Sequence, residues 1–95
     1  MATVHLPGAL RVYADGQRRI AVGLAGRPAT VASVLDELGQ AHPGVRQRVL
    51  DDRGELRRHV NVFVNGASIR DLAGLATPVE EPDEVWIIPS ISGGS

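Results

Sequence analysis

A single helical pattern of apolar residues constrains the fold of this chain of 95 residues more than any other feature. Thr30 is a typical helix N-cap, and after it apolar residues recur at intervals of three and four, at Val31, Val34, Leu35 and Leu38. Asp36 and Glu37 fall on the solvent face, and His42 before a proline predicts the end of the helix. Because no other predicted element is as apolar, this helix must cover one face of a sheet.

The clearest strand is predicted over residues 60–64, where three valines face one way while Asn61 and Phe63 face the other. Asn65-Gly66 follows and is a strong signal for a two-residue hairpin, which predicts a short return strand over 67–70. Period-two alternation predicts further strands over 19–24 and 84–88.

Turn residues divide the rest of the chain. The first strand, 3–6, is interrupted by Pro7-Gly8 and is predicted to resume over 10–13, before a turn at 14–17. A second short helical turn is predicted over 45–50. Residues 72–75 are ambiguous, and residues 77–83 read as an acidic loop that contains proline.

The predicted order of strand, strand, helix, strand, short strand and strand indicates an α+β fold of the ubiquitin-like β-grasp type. In that arrangement a mixed sheet of about four to five strands packs on one main helix. Residues 1–89 are predicted to form this domain, and residues 90–95 a flexible C-terminal tail with the sequence Ser-Ile-Ser-Gly-Gly-Ser.

Composition excludes several classes of function. All ten basic residues are arginine, which rules out lysine Schiff bases and the P-loop lysine. The absence of cysteine rules out disulfides, thiol nucleophiles and cysteine metal sites. A net charge of −1 with three aromatic residues argues against nucleic acid as a partner. Without a run of about 20 apolar residues or a signal sequence, we expect no membrane partner and a cytoplasmic protein.

Residues that could catalyse a reaction do not form a known motif. The three histidines, His5, His42 and His59, lack the spacing of metal or catalytic sites. The serines have no neighbouring base, and the acidic cluster at 80–84 is typical of a solvated loop. We therefore expect no catalytic residue, no bound metal and no bound cofactor.

The alternation of two strands predicts an apolar cluster on the face of the sheet that the helix leaves open. If the valines of 60–64 face the helix together with Val85 and Ile87, then Phe63, Trp86 and Ile88 face away from it. Aromatic residues grouped on a small domain are candidates for binding a partner. The alternative is that a loop or the tail covers them.

Four segments, in this order, resemble the MoaD/ThiS family of ubiquitin-like sulfur carriers that end in Gly-Gly, and most of all its CysO-like members. They are residues 56–65, 74–77, 85–89 and 92–94. The resemblance implies that a partner adenylating enzyme of the ubiquitin-activating type uses ATP and Mg²⁺ to convert the Gly94 carboxylate into an acyl-adenylate. A sulfur donor then converts that group into a thiocarboxylate.

The same resemblance implies that the chain is a protein cosubstrate and not an enzyme. Its thiocarboxylate would donate sulfur to an acceptor synthase, cysteine-synthase-like or of another kind, in the synthesis of cysteine or of a specialised metabolite or cofactor. Gly93 and Ser92 would thread into the partner's active site. Glycine suits this task because it has no side chain and accepts many backbone torsions.

The chain departs from the family pattern at Ser95, which follows Gly94 and blocks the carboxylate that the family uses. Three interpretations are open: Ser95 is a precursor residue that a JAMM-type metalloprotease removes by cutting between Gly94 and Ser95, it is an artificial addition, or this chain is never activated. In the last case the chain would be a non-covalent β-grasp interaction or adaptor domain.

Overall fold

The computed structural model describes residues 1–25 and 28–89, in which ten helices and strands follow one another. In chain order they are β1 (Ala2–His5), α1 (Gly8–Arg11), β2 (Arg19–Val22), β3 (Ala29–Thr30), α2 (Val31–Ala41), α3 (Pro43–Val49), β4 (Val60–Val64), β5 (Ala67–Ser68), β6 (Pro78–Val79) and β7 (Glu84–Pro89). Short 3-10 turns span Val12–Ala14, Ile69–Asp71 and Gly74–Ala76. None of the helices in these described ranges is both long and apolar enough to span a bilayer.

Five strands form the main sheet in the order β2-β1-β7-β4-β5. The central strand β7 pairs in parallel with β1 and antiparallel with β4, and the two outer pairs are antiparallel. β3 and β6 form a separate ladder of two residues each. A mixed sheet of five strands with helices on one face is the β-grasp arrangement, so the predicted fold class is confirmed.

The helix α2 begins and is buried as its sequence predicts. Thr30 Oγ1 accepts a hydrogen bond from the Ser33 N–H at 3.2 Å, and Ser33 Oγ accepts one from the Thr30 N–H at 2.9 Å. This reciprocal capping box satisfies two N–H groups that have no partner inside the helix. The four predicted apolar positions, Val31, Val34, Leu35 and Leu38, are all buried.

The prediction of a strand over 10–13 is wrong. These residues continue from α1 into the 3-10 turn Val12–Ala14, and the Leu10 N–H bonds to the Pro7 carbonyl at 3.0 Å. A helical path places Leu10 and Ala14, four residues apart, on one side, and both are buried. A strand would have pointed alternate residues away from the core instead.

The expectation that only one helix is apolar enough to cover the sheet is also wrong. Val45 and Val49 lie four residues apart in α3 and are both fully buried, so α3 shares the core with α2. The return strand β5 is shorter than predicted, since residues 69–71 form a 3-10 turn that buries Ile69. The strand predicted over 19–24 ends at Val22.

The asymmetry of the sheet follows from the strand pattern of the sequence. In β4 the residues Val60, Val62 and Val64 are buried, and their neighbours in β7, Val85 and Ile87, are buried with them. Asn65 and Gly66 have φ values of 51° and 90°, the positive angles that a tight hairpin turn needs, which confirms the predicted hairpin. One face of the sheet is therefore apolar and covered by helices. On the other face, which we call the open face, Trp86 and Ile88 remain exposed among the described residues.

We predict that replacing Leu35 with alanine lowers the free energy of unfolding by about 2–5 kcal/mol, because a fully buried side chain leaves a cavity under the sheet. Urea or thermal unfolding followed by circular dichroism measures this loss. The control is Glu37→Ala on the exposed side of the same helix, where we expect a change within about 0.5 kcal/mol. A loss that small for Leu35→Ala would contradict the assigned core.

Candidate functional site

The predicted reactive tail lies outside the residues that the structure describes. This applies to Ser92, Gly93, Gly94 and Ser95, so the structure contributes the position from which the tail starts. That position is Pro89, the last residue of β7, which pairs with Val60 at the beginning of β4. The tail therefore continues from the central strand, at the end of the sheet where β4 begins.

The open face of the sheet carries a row of residues, one from each strand. Strand register places these residues side by side in the order Arg19, His5, Trp86, Phe63 and Ser68. The row crosses the whole sheet at its widest, and its centre is aromatic.

The predicted orientation of the apolar cluster is confirmed. Trp86 is 44% exposed and Ile88 41% exposed, although both lie on the central strand of the sheet. Phe63 lies next to Trp86 on β4 and is half-buried. Because the intervening residues Val85 and Ile87 are buried, β7 is apolar on both faces, a pattern expected of a strand that is covered on both sides.

His5 holds Trp86 in place on this face, a contact that the sequence did not reveal. The two rings stack with their centroids 3.7 Å apart and their planes 3° from parallel. His5 Nε2 lies 2.7 Å from Glu84 Oε1, so the imidazole N–H donates to that carboxylate. The indole therefore has one ring face covered and oriented by a neighbour, which suits a preorganised binding residue.

The alternation of residues along the first strand already indicates on which face of the sheet His5 lies. Ala2, Val4 and Leu6 are buried, so Thr3 and His5 must point to the open face. That His5 lies beside Trp86 depends on the parallel pairing of β1 with β7. Nothing local in either strand indicates that pairing.

The acidic segment 80–84 has structural roles within the described part of the chain. Asp83 accepts hydrogen bonds from the Glu80 N–H and the Asn65 side chain, both at 2.8 Å, and so ties the hairpin turn to this loop. Glu81 Oε2 lies 3.1 Å from the N-terminal ammonium, and the hydrogen bond from that ammonium lowers the pKa of the Glu81 carboxyl. These contacts agree with the prediction of a solvated loop.

The three histidines lie apart, on β1, at the start of α3 and just before β4. Among residues 1–25 and 28–89, no three or more His, Cys, Asp or Glu side chains are grouped so that they could hold a metal ion. The described domain presents an exposed apolar cluster with polar neighbours, and the tail starts close to it.

Comparison with known proteins agrees with this arrangement. The sequence profile of the ThiS family matches residues 4–94. The sulfur carrier protein CysO of Mycobacterium tuberculosis is 33% identical over 94 residues, which is 97% of each chain. Small archaeal modifier protein 1 of Haloferax volcanii is 40% identical over 89 residues, covering 88% of this chain and 97% of that protein.

The fold is similar to that of solved structures in the same group. A chain in the crystal structure of the Amycolatopsis orientalis BexX/CysO complex superposes with a TM-score of 0.87 at 30% sequence identity, covering 99% of this chain and 100% of that one.

The stacking of His5 on Trp86 predicts a change in tryptophan fluorescence. Trp86 is the only tryptophan in the chain, so quenching by acrylamide reports on this one side chain. We expect His5→Ala to increase the quenching constant, because the ring face that His5 covers becomes open to solvent. Thr3→Ala, on the same face of β1, is the control and should leave quenching unchanged. Equal quenching in wild type and His5→Ala would contradict the stack.

Proposed function

The chain belongs to the ThiS family of small sulfur carriers, and we propose that it carries sulfur as a thiocarboxylate on Gly94. The observation that supports this most directly is the extent of the family match, which runs through Gly94, the second glycine of the tail, and leaves out Ser95. In this proposal the chain is a protein cosubstrate, and partner enzymes carry out the chemistry.

The proposed cycle begins with activation of a carboxylate that is itself a poor electrophile. A carboxylate oxygen of Gly94 attacks the α-phosphorus of ATP in a partner adenylating enzyme, with Mg²⁺ neutralising the phosphates, and pyrophosphate leaves. A sulfide equivalent from a sulfur donor then attacks the acyl carbon and AMP leaves with the C–O bond electrons. The product is the Gly94 thiocarboxylate. Because the cycle consumes ATP, we place the carrier in the cytoplasm.

Ser95 has to be removed before this cycle can start. Hydrolysis of the peptide bond between Gly94 and Ser95 releases serine and produces the free Gly94 carboxylate. We propose a metalloprotease of the JAMM type for this step, in which a metal-activated water attacks the peptide carbonyl. Two glycines before the cleaved bond suit a narrow protease cleft for the same reason that they suit an adenylating enzyme.

The open face of the sheet is the proposed docking surface for the partner enzymes. Trp86 and Ile88 are exposed on the strand that leads directly into the tail, and Phe63 lies beside Trp86. A partner that binds this surface holds the tail at a fixed distance from its own active site. We propose that a dedicated synthase accepts the sulfur and uses it in the synthesis of cysteine or of a specialised metabolite or cofactor.

A non-covalent adaptor is the second candidate function. Ser95 favours it, because a chain that keeps this residue has no glycine carboxylate to activate. The two candidates make opposite predictions about the tail. An adaptor needs the open face and is indifferent to where the chain ends.

We predict that the form ending at Ser95 is inert with its adenylating enzyme, whereas the form ending at Gly94 becomes adenylated and then thiocarboxylated. The form ending at Gly93 should be inert again, because its carboxylate falls one residue short of the nucleotide. The three purified forms are incubated with enzyme, ATP and a sulfide source. Intact-mass spectrometry detects the exchange of one oxygen for sulfur.

Equal conversion of the Ser95 and Gly94 forms would overturn the role of Ser95 as a precursor residue. The control is an enzyme preparation that is active on its own carrier. If that preparation converts none of the three forms, the thiocarboxylate function is wrong and the adaptor function is favoured.

For the open face, we predict that Trp86→Ser in the form ending at Gly94 lowers kcat/KM for adenylation by about tenfold or more, the loss expected for an aromatic residue at the centre of an interface. Leu72→Ser is the matched control, because Leu72 is 51% exposed and does not belong to the sheet. An equal effect of both substitutions would show that the loss comes from lower surface hydrophobicity and not from docking.

A further inference from the structure

Arginine side chains collect at the end of the molecule from which the tail starts. Because β1 and β7 run in parallel, both finish at this end of the sheet, and their antiparallel partners β2 and β4 begin there. The residues just before and at the start of β2 and β4 therefore lie at this end. Seven arginines are placed there by this register or by contact with its residues: Arg11, Arg18, Arg19, Arg48, Arg57, Arg58 and Arg70.

The opposite end of the sheet is acidic. Glu84 begins β7, and the Asp83 carbonyl accepts a hydrogen bond from the Thr3 N–H at 3.1 Å at the start of β1. Glu80 and Glu81 lie in the loop before them. Asp15, in the turn before Arg18, and Asp51, which is close enough to Arg57 to interact with it electrostatically, offset two of the charges at the arginine-rich end. The net charge of −1 therefore conceals a separation of charge along the strands.

A groove lies in the middle of the arginine-rich end. It has a volume of about 290 Å³, and its apolar lining includes Leu10, Val60, Ile87 and Pro89. Arg48, His59 and Tyr13 also line it. Pro89 is the last residue before the tail, so the groove lies directly at the start of the tail.

The guanidinium groups beside the groove are held by the fold. Arg48 lies over the ring of Tyr13, 4.8 Å from its centroid. The Arg57 Nε–H donates to the Gln47 carbonyl at 3.0 Å. A second depression of about 260 Å³ is lined by Arg57 together with Arg48 and His59. Charged groups with fixed positions lose less conformational entropy when a partner binds them.

The length of the tail determines which surface a modifying enzyme must cover. Gly94 is the fifth residue after Pro89, and even a fully extended chain of five residues spans only about 17 Å. An enzyme that takes Gly94 into its active site therefore brings the mouth of that site to within this distance of Pro89. It cannot do so without approaching the groove and its arginines.

We propose that the arginine-rich end docks against an acidic rim around the active-site mouth of the adenylating enzyme, with an apolar side chain of that enzyme in the groove. This inference rests on the proposed function and adds the chemistry of the partner surface. Opposite charges steer the approach of two proteins and raise association rates by about 10- to 1000-fold at low salt. The charge separation along the strands orients the carrier so that its tail arrives first.

The test uses the form ending at Gly94 and ATP–pyrophosphate exchange by the adenylating enzyme over a range of salt concentrations. We expect Arg48→Glu and Arg58→Glu each to lower kcat/KM about tenfold at low salt, with kcat at saturating carrier unchanged. The wild-type kcat/KM should fall as salt rises, and the variants should respond less. Arg53→Glu is the matched control, since it changes the net charge equally, whereas Arg53 neither lines a depression nor lies just before or at the start of β2 or β4; it should stay within about twofold of wild type.

Equal losses for Arg53→Glu and the other two variants would overturn the proposal, because bulk charge would then explain the effect. Unchanged kcat/KM in Arg48→Glu and Arg58→Glu would overturn it as well, and would leave the proposed function standing. Direct binding of each form to the enzyme without ATP separates the two proposals further. If binding depends on the arginines but no ATP–pyrophosphate exchange occurs, docking is supported and the proposed function is contradicted. If the wild-type chain does not bind the enzyme, both proposals are contradicted.

Discussion

The parallel pairing of β1 with the central strand β7 is the interaction on which the other features of this protein depend. It joins the first strand of the chain to the last, and its register sets His5 beside Trp86. It also makes both strands end at one edge, so that the tail starts where β2 and β4 begin. The aromatic row of the open face depends on this pairing, and so does the position of the arginines at and just before the starts of β2 and β4.

The two faces of the sheet have different roles, and the alternation of residues along each strand assigns every side chain to one face or the other. On one face, the buried valines of β4 and the buried residues Val85 and Ile87 pack in a core shared with α2 and α3. That core makes the domain rigid enough to present a surface of defined shape. On the other face, Trp86 and Ile88 are exposed at a cost in solvation, and binding to a partner would recover that cost.

The proposed docking surfaces differ in physical character and would contribute to different stages of an encounter. Long-range attraction by the arginines acts first and depends on salt, whereas apolar contact at Trp86 acts over short distances and sets how long the complex lasts. Both surfaces adjoin β7, which continues into the tail. A partner that contacts both would hold the Gly94 end in one orientation, which is what a reaction at a single carboxylate requires.

The amino-acid sequence by itself determined the elements whose signals are local. The strand β4, the hairpin turn at Asn65-Gly66, the capped helix α2 and the two faces of β7 all follow from periodicity or turn chemistry within a few residues. The tail motif is likewise a property of the sequence alone.

Tertiary structure decided the rest. Four residues are too few to distinguish a helical from an extended period, so packing against the core decided that residues 10–13 are helical. Only the parallel pairing of distant strands could bring together His5 and Glu84, which are 79 residues apart. The arginines at the start of the tail are gathered by strand pairing together with the packing of α3, because such contacts are made across the chain and leave no local pattern in it.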